Sequence, residues 1–71
     1  MLLIDYARSI GLPMRGLMHN THLGWTTDET KVDALIASGG GATAVRRESG
    51  RIVGWEVRVN VGAEVEEVVA A

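Results

Sequence analysis

Residues 52–61 read Ile-Val-Gly-Trp-Glu-Val-Arg-Val-Asn-Val. In an extended chain Val53, Trp55, Val57, Val59 and Val61 fall on one side, and Ile52, Gly54, Glu56, Arg58 and Asn60 on the other. Such period-two alternation marks a half-buried strand. The valine side must face the core, because a one-residue slip would turn every apolar side chain to water. Just upstream, Ser49-Gly50 offers a two-residue hairpin loop, so residues 42–48 become the partner strand. This loop pairs Glu48 with Arg51, Arg46 with Val53, Ala44 with Trp55 and Ala42 with Val57. The two small alanines leave room for the indole or for a helix above it. Arg46 is the misfit on the inner face and has to reach back to water.

The segment before the hairpin reads as a helix over residues 27–38. Thr26 is the expected N-cap, with Glu29 completing a capping box. Asp28 and Glu29 complement the positive end of the helix dipole. Val32, Leu35 and Ile36 form the expected buried stripe, and Gly39 supplies the stop. Residues 2–10 fit either a helix or a short strand. The spacing of Leu2, Leu3, Tyr6, Ala7 and Ile10, with Gly11 as terminator, favours the helix.

Residues 13–25 are harder to place. Pro13 suits the first turn of a helix, but Gly16 and the polar run His19-Asn20-Thr21-His22 would cut that helix short. Leu23-Gly24-Trp25 reads as an irregular connection whose Leu and Trp pack on the core. The expected fold is therefore α+β: an N-terminal helix or strand, then helix 27–38 packed on an antiparallel hairpin of 42–48 and 51–61. Residues 1–62 form one small domain in this reading, and residues 63–71 an acidic and apolar tail.

A chain of 71 residues without cysteine cannot rely on disulfides, and a domain of this size has a thin core. Tight packing or association with another chain has to compensate. The start Met1-Leu2-Leu3-Ile4-Asp5 has neither a basic region nor a long apolar run, so no secretory signal is expected. No stretch reaches the length of a membrane span. Together with the lack of cysteine, this gives a cytoplasmic expectation.

The net charge of −2 hides an asymmetry. Residues 1–62 hold seven basic and six acidic groups, a net of +1, while Glu64, Glu66 and Glu67 supply −3.

Motifs for chemistry are weak. His19-x-x-His22 could hold two corners of a zinc site, but nothing at a telling spacing completes it. Gly39-Gly40-Gly41 follows a helix, whereas phosphate loops precede one. Ser9, Ser38 and Ser49 lie in no nucleophile elbow. No catalytic residue, metal, cofactor or small-molecule substrate is expected, and the chain reads as a non-enzyme.

Binding is the better expectation. The second strand outruns the first, leaving Val59 and Val61 as an unpaired extension. With Val65, Val68 and Val69 of the tail they form a candidate edge for self-association or for a larger protein partner. Size and composition associate such a chain with the small proteins of phages and mobile elements.

The alternative partner is nucleic acid. Ala7, Gly11, Leu12 and Leu17 echo the spacing of a helix-turn-helix, and Arg46, Arg47 and Arg51 cluster at the hairpin tip. Together these loosely resemble a winged-helix arrangement, which implies DNA binding through the basic tip, with Arg58, Arg8 and Arg15 as further contacts. Against it, the helix over 27–38 carries Asp28, Glu29 and Asp33 but only one Lys, and a phosphate backbone would repel it.

The register assigns Trp55 to the core side. Trp55→Ala is expected to cost about 3–5 kcal/mol in denaturant unfolding. A loss below about 1 kcal/mol would place the indole on the surface.

Overall fold

The computed structural model describes residues 1–66. Its elements run α1 (Leu3–Ser9), β1 (Met14–Met18), β2 (Thr21–Thr26), α2 (Glu29–Ala37), β3 (Gly41–Arg46) and β4 (Ile52–Asn60). The strands form one antiparallel sheet in the order β1-β2-β4-β3. The fold is α+β, and the expected hairpin is β3-β4.

β4 is the organising strand. Val57 and Val59, on its inner face, are fully buried. They meet Leu3, Ile4 and Ala7 of α1 and Val32 and Leu35 of α2 in one cluster, so both helices cover the same side of the sheet. Val53 and Trp55 lie half-buried further along that face. The inner face thus carries four of the five residues that the alternation assigned to it; Val61 lies beyond the strand and is 51% exposed.

Both helices stop in the same way. The Leu12 amide donates to Ala7 O and the Gly11 amide to Arg8 O, while the Gly40 amide donates to Leu35 O and the Gly39 amide to Ile36 O. These are paired Schellman bonds, and Gly11 (φ +89°) and Gly39 (φ +105°) adopt the left-handed conformation that the motif requires.

The start of α2 differs from expectation. Asp28 is the N-cap, its carboxylate accepting from the Thr30 amide at 3.0 Å, and the helix begins at Glu29. Thr26 acts one step earlier, its hydroxyl accepting from the Asp28 amide at 3.1 Å. Bonding from Thr30, side chain first, holds the Asp28 carboxyl below its usual range, so the cap is ionised at neutral pH. The buried stripe is Val32 and Leu35 alone, and Ile36 is 51% exposed.

Residues 14–26 correct the sequence reading most. They form a second hairpin instead of a short helix and an irregular connection. Its two-residue turn is His19-Asn20, with φ of +49° and +60°. Positive φ at both central residues marks the type I′ turn, whose twist suits a hairpin and whose usual sequence is Asn-Gly. Because Leu17 lies on β1, the helix-turn-helix spacing from Ala7 to Leu17 spans a helix, a turn and a strand. The winged-helix expectation therefore loses its second helix.

The β3-β4 register holds at Ala42–Val57 and Ala44–Trp55, but Arg46 faces Ile52 rather than Val53. The loop has three residues, Glu48-Ser49-Gly50, closed by bonds from the Arg47 amide to Arg51 O and from the Gly50 amide to Arg47 O. A bulge at Val53 absorbs the one-residue difference.

β4 is also not an open edge. β2 pairs with its far half, setting His22 opposite Val59 and Thr21 opposite Asn60. Val59 is 1% exposed and unavailable to a partner. Val61 follows the strand, its amide donating to Asn20 O. Residues 63–66 then run beside the N-terminus: the Leu3 amide donates to Ala63 O, the Val65 amide to Met1 O and the Glu66 amide to Ser38 O. Val65 is half-buried against the core, and Val68 and Val69 lie outside the described residues.

The contrast on α2 is directly testable. Leu35→Ala should cost about 2–5 kcal/mol in chemical unfolding, and Ile36→Ala less than about 1. Equal losses would mean that the helix is rotated from the orientation described.

Candidate functional site on the open sheet face

With both helices on one side, the other face of the sheet has no covering element among the described residues. Strand alternation and register place Leu23 and Trp25 of β2, Gly54, Glu56 and Arg58 of β4, and Thr43 and Val45 of β3 on this open face. A shallow groove of about 570 Å³ runs across it, lined mainly by Pro13, Arg15, Leu23, Trp25, Val45 and Glu56.

Trp25 is the centre of this surface. Its six-membered ring lies against the backbone of Gly54, where a Cβ would clash with the indole Cζ2. Only glycine leaves space for that approach, and Gly54 is itself buried although it belongs to the open face. The indole remains 43% exposed. It is therefore fixed against the sheet without being enclosed.

Two bulges border this indole. The β1-β2 register shifts between Met14 and Gly16, so Arg15 is the unpaired residue of β1. The shift in β4 falls at Val53, next to Gly54. Bulges redirect side chains and recur beside functional sites. Here one of them brings Arg15 to the wall of the Trp25 groove.

The polar part of the face is partly self-satisfied. Arg58 Nη1 donates to Thr43 Oγ1 at 2.7 Å and lies 3.6 Å from Glu56 Oε1. At the hairpin tip Arg46 Nη1 donates to Gly50 O at 2.9 Å. Arg47 and Arg51 line a small hollow with Ile52 and Val53.

The candidate residues named from sequence thus divide. Arg15 and Arg58 lie on or beside the open face, and Arg46, Arg47 and Arg51 at the tip that extends it. Arg8 lies on α1, in the helical layer.

Charge divides in the same sense. Five of the seven basic residues belong to the strands and the tip, with Glu48 and Glu56 as the acids there. The helical layer carries Asp5, Asp28, Glu29 and Asp33 against Arg8 and Lys31.

His19 occupies the β1-β2 turn, while His22 pairs with Leu17 and Val59. Among the described residues no three His, Cys, Asp or Glu side chains gather as metal ligands would, and no helix is long and apolar enough to cross a membrane.

Trp25 was the residue that sequence reasoning missed, since it was expected to pack on the core. The available signal was Gly54, an outward glycine in an otherwise regular strand, which calls for something to lie across it.

Comparison with protein-family models, with curated proteins and with solved structures gives no match, so the site rests on its own geometry.

Gly54→Ala places a methyl group where the indole now lies. Trp25 should swing outward, with a red shift of its emission and a loss of about 1–3 kcal/mol from the forced rearrangement. Unchanged emission in a Trp55→Phe background, where Trp25 alone reports, would contradict the packing of Trp25 on Gly54.

Proposed function

We propose that the chain is a small non-enzymatic binding protein that acts through the open face of its sheet. The observation that carries this reading is Trp25, a large aromatic held in place by Gly54 and yet 43% exposed on the uncovered face. Exposed aromatics rimmed by polar residues mark interaction surfaces. Aromatic and arginine side chains are also the types over-represented at binding hot spots. Leu23, Val45 and Arg15 beside the indole give it such surroundings.

The shape of the groove favours binding over chemistry. It is shallow, and the titratable side chains among its lining residues are Arg15 and Glu56, with Glu56 already near Arg58.

In this reading the partner is a macromolecule: another copy, a larger protein, or a nucleic acid. The exposed tip arginines Arg46, Arg47 and Arg51 favour the last, as a source of phosphate contacts. Self-association no longer draws support from a β4 edge, because β2 occupies it. It would have to use the open face or the outer strands β1 and β3.

Acrylamide quenching of Trp25 in a Trp55→Phe background tests whether this face is used. Occlusion of the indole on concentrating the protein, or on adding oligonucleotide, is the expected result. A solution mass that stays monomeric, with equal quenching under both conditions, would remove self-association and nucleic acid as uses of this face.

A further inference from the structure

We infer that the open face binds single-stranded nucleic acid, with a base stacked on Trp25 and the neighbouring phosphates held by arginines on either side of it. This inference rests on the open-face reading proposed above and names its ligand.

Single strands are bound by combining an exposed aromatic platform with a positively charged path for the backbone. The platform is present. One part of the Trp25 ring rests on Gly54, so it is already ordered before anything binds, and the exposed remainder can take a base. Little side-chain entropy remains to be lost at that contact.

The path is present too. Arg51 immediately precedes β4, across the Val53 bulge from Gly54, and Arg58 lies four residues beyond Gly54 on the strand. At strand spacing Arg58 is roughly 13 Å from the stacking position. Arg15 lines the groove itself, and Arg47 stands beside Arg51 at the tip. The spacing suits phosphates on either side of a stacked nucleotide.

Charge also selects the approach. The strands and tip carry five arginines with Glu48 and Glu56, whereas the helical layer is net acidic. A polyanion is drawn to the sheet side and repelled from the helix side, although the whole chain is net −2. Glu56, whose carboxylate lies 3.6 Å from Arg58, offsets that arginine in part, but the strands and tip still hold five arginines against two acids.

A single strand fits this face better than a duplex does. Stacking on Trp25 needs a base that is not already stacked between its neighbours. Among the described residues no helix stands on this face to enter a groove.

The test uses the full chain and a short oligothymidylate of about 12 nucleotides, within the usual site size, compared at low salt with its duplex. Binding should quench Trp25 emission, read in the Trp55→Phe background. Trp25→Ala should weaken it about tenfold or more, as loss of one stacked base implies, while Trp25→Phe should restore most of the affinity. The double variant Arg47→Ala/Arg51→Ala should reduce the salt slope by about 1.4, the loss of two single-strand phosphate contacts. Circular dichroism confirms that each variant is folded.

Absence of binding at low salt overturns the inference, and so does binding that Trp25→Ala leaves unchanged. A duplex that binds as tightly as the single strand also overturns it and points to the arginine tip acting on phosphates alone. Occlusion of Trp25 on concentrating the protein, without any oligonucleotide affinity, leaves the binding face standing and removes nucleic acid as its ligand.

Discussion

The burial of Val57 and Val59 beneath two helices is the constraint on which the rest of the molecule depends. Each buried valine contributes about 1.5–3 kcal/mol, a large share for a domain whose net stability is only about 5–15. To deliver that burial, β4 needs a hydrogen-bonded neighbour on each side, and the two hairpins provide them. β3 arrives by a short loop. β2 is already laid down before α2 in the chain, and it pairs with Trp55–Asn60 along the opposite edge of β4 from β3. The core is then closed by Leu3, Ile4 and Ala7 from the start of the chain, and the segment after β4 is bonded back to Met1 and Leu3. A chain without disulfides thus ties both of its described ends to one strand.

The same strand creates the candidate site on its other face. Inner positions are filled by valines because two helices have to be received. Outer positions are free to vary, and one of them is glycine. Gly54 leaves a shallow depression in the sheet, and Trp25 fills it from the neighbouring strand. Covering an exposed strand glycine with an aromatic side chain is a stabilising device in its own right. The arrangement can therefore serve stability and recognition together, since the indole protects the backbone of Gly54 while its exposed part remains available.

How much of this was legible in the sequence follows from how local each signal is. The alternation over 52–61, the helix terminators Gly11 and Gly39, and the apolar spacing of Val32 and Leu35 are encoded by adjacent residues and could be read directly. The β1-β2 hairpin could not. Its turn is built from His19 and Asn20 at positive φ, without the glycine that normally advertises such a turn. Its strands show no clean alternation, because β1 is the edge strand and all of it after Met14 is exposed. The loop at 48–50 failed differently. A two-residue and a three-residue loop are both compatible with Ser49-Gly50, and the bulge at Val53 hides the choice by restoring the register beyond it. Long-range pairing decided the remainder: the surplus length of β4 was visible, but the identity of its partner was not.

The candidate site was legible only in pieces, because it is a property of the sheet and not of any segment. The arginines at 46, 47 and 51 were conspicuous in sequence, yet an arginine cluster at a hairpin tip is also what keeps an exposed turn solvated. They gain meaning from what lies on the same side. Strand order brings Arg15, some thirty residues from the tip in sequence, to the indole of Trp25, and alternation along β4 sets Arg58 on that same face. Placing the acidic residues of α1 and α2 on the opposite side of the sheet completes the polarity. A near-neutral chain thereby acquires a basic face and an acidic one, and its net charge becomes a poor guide to its partners.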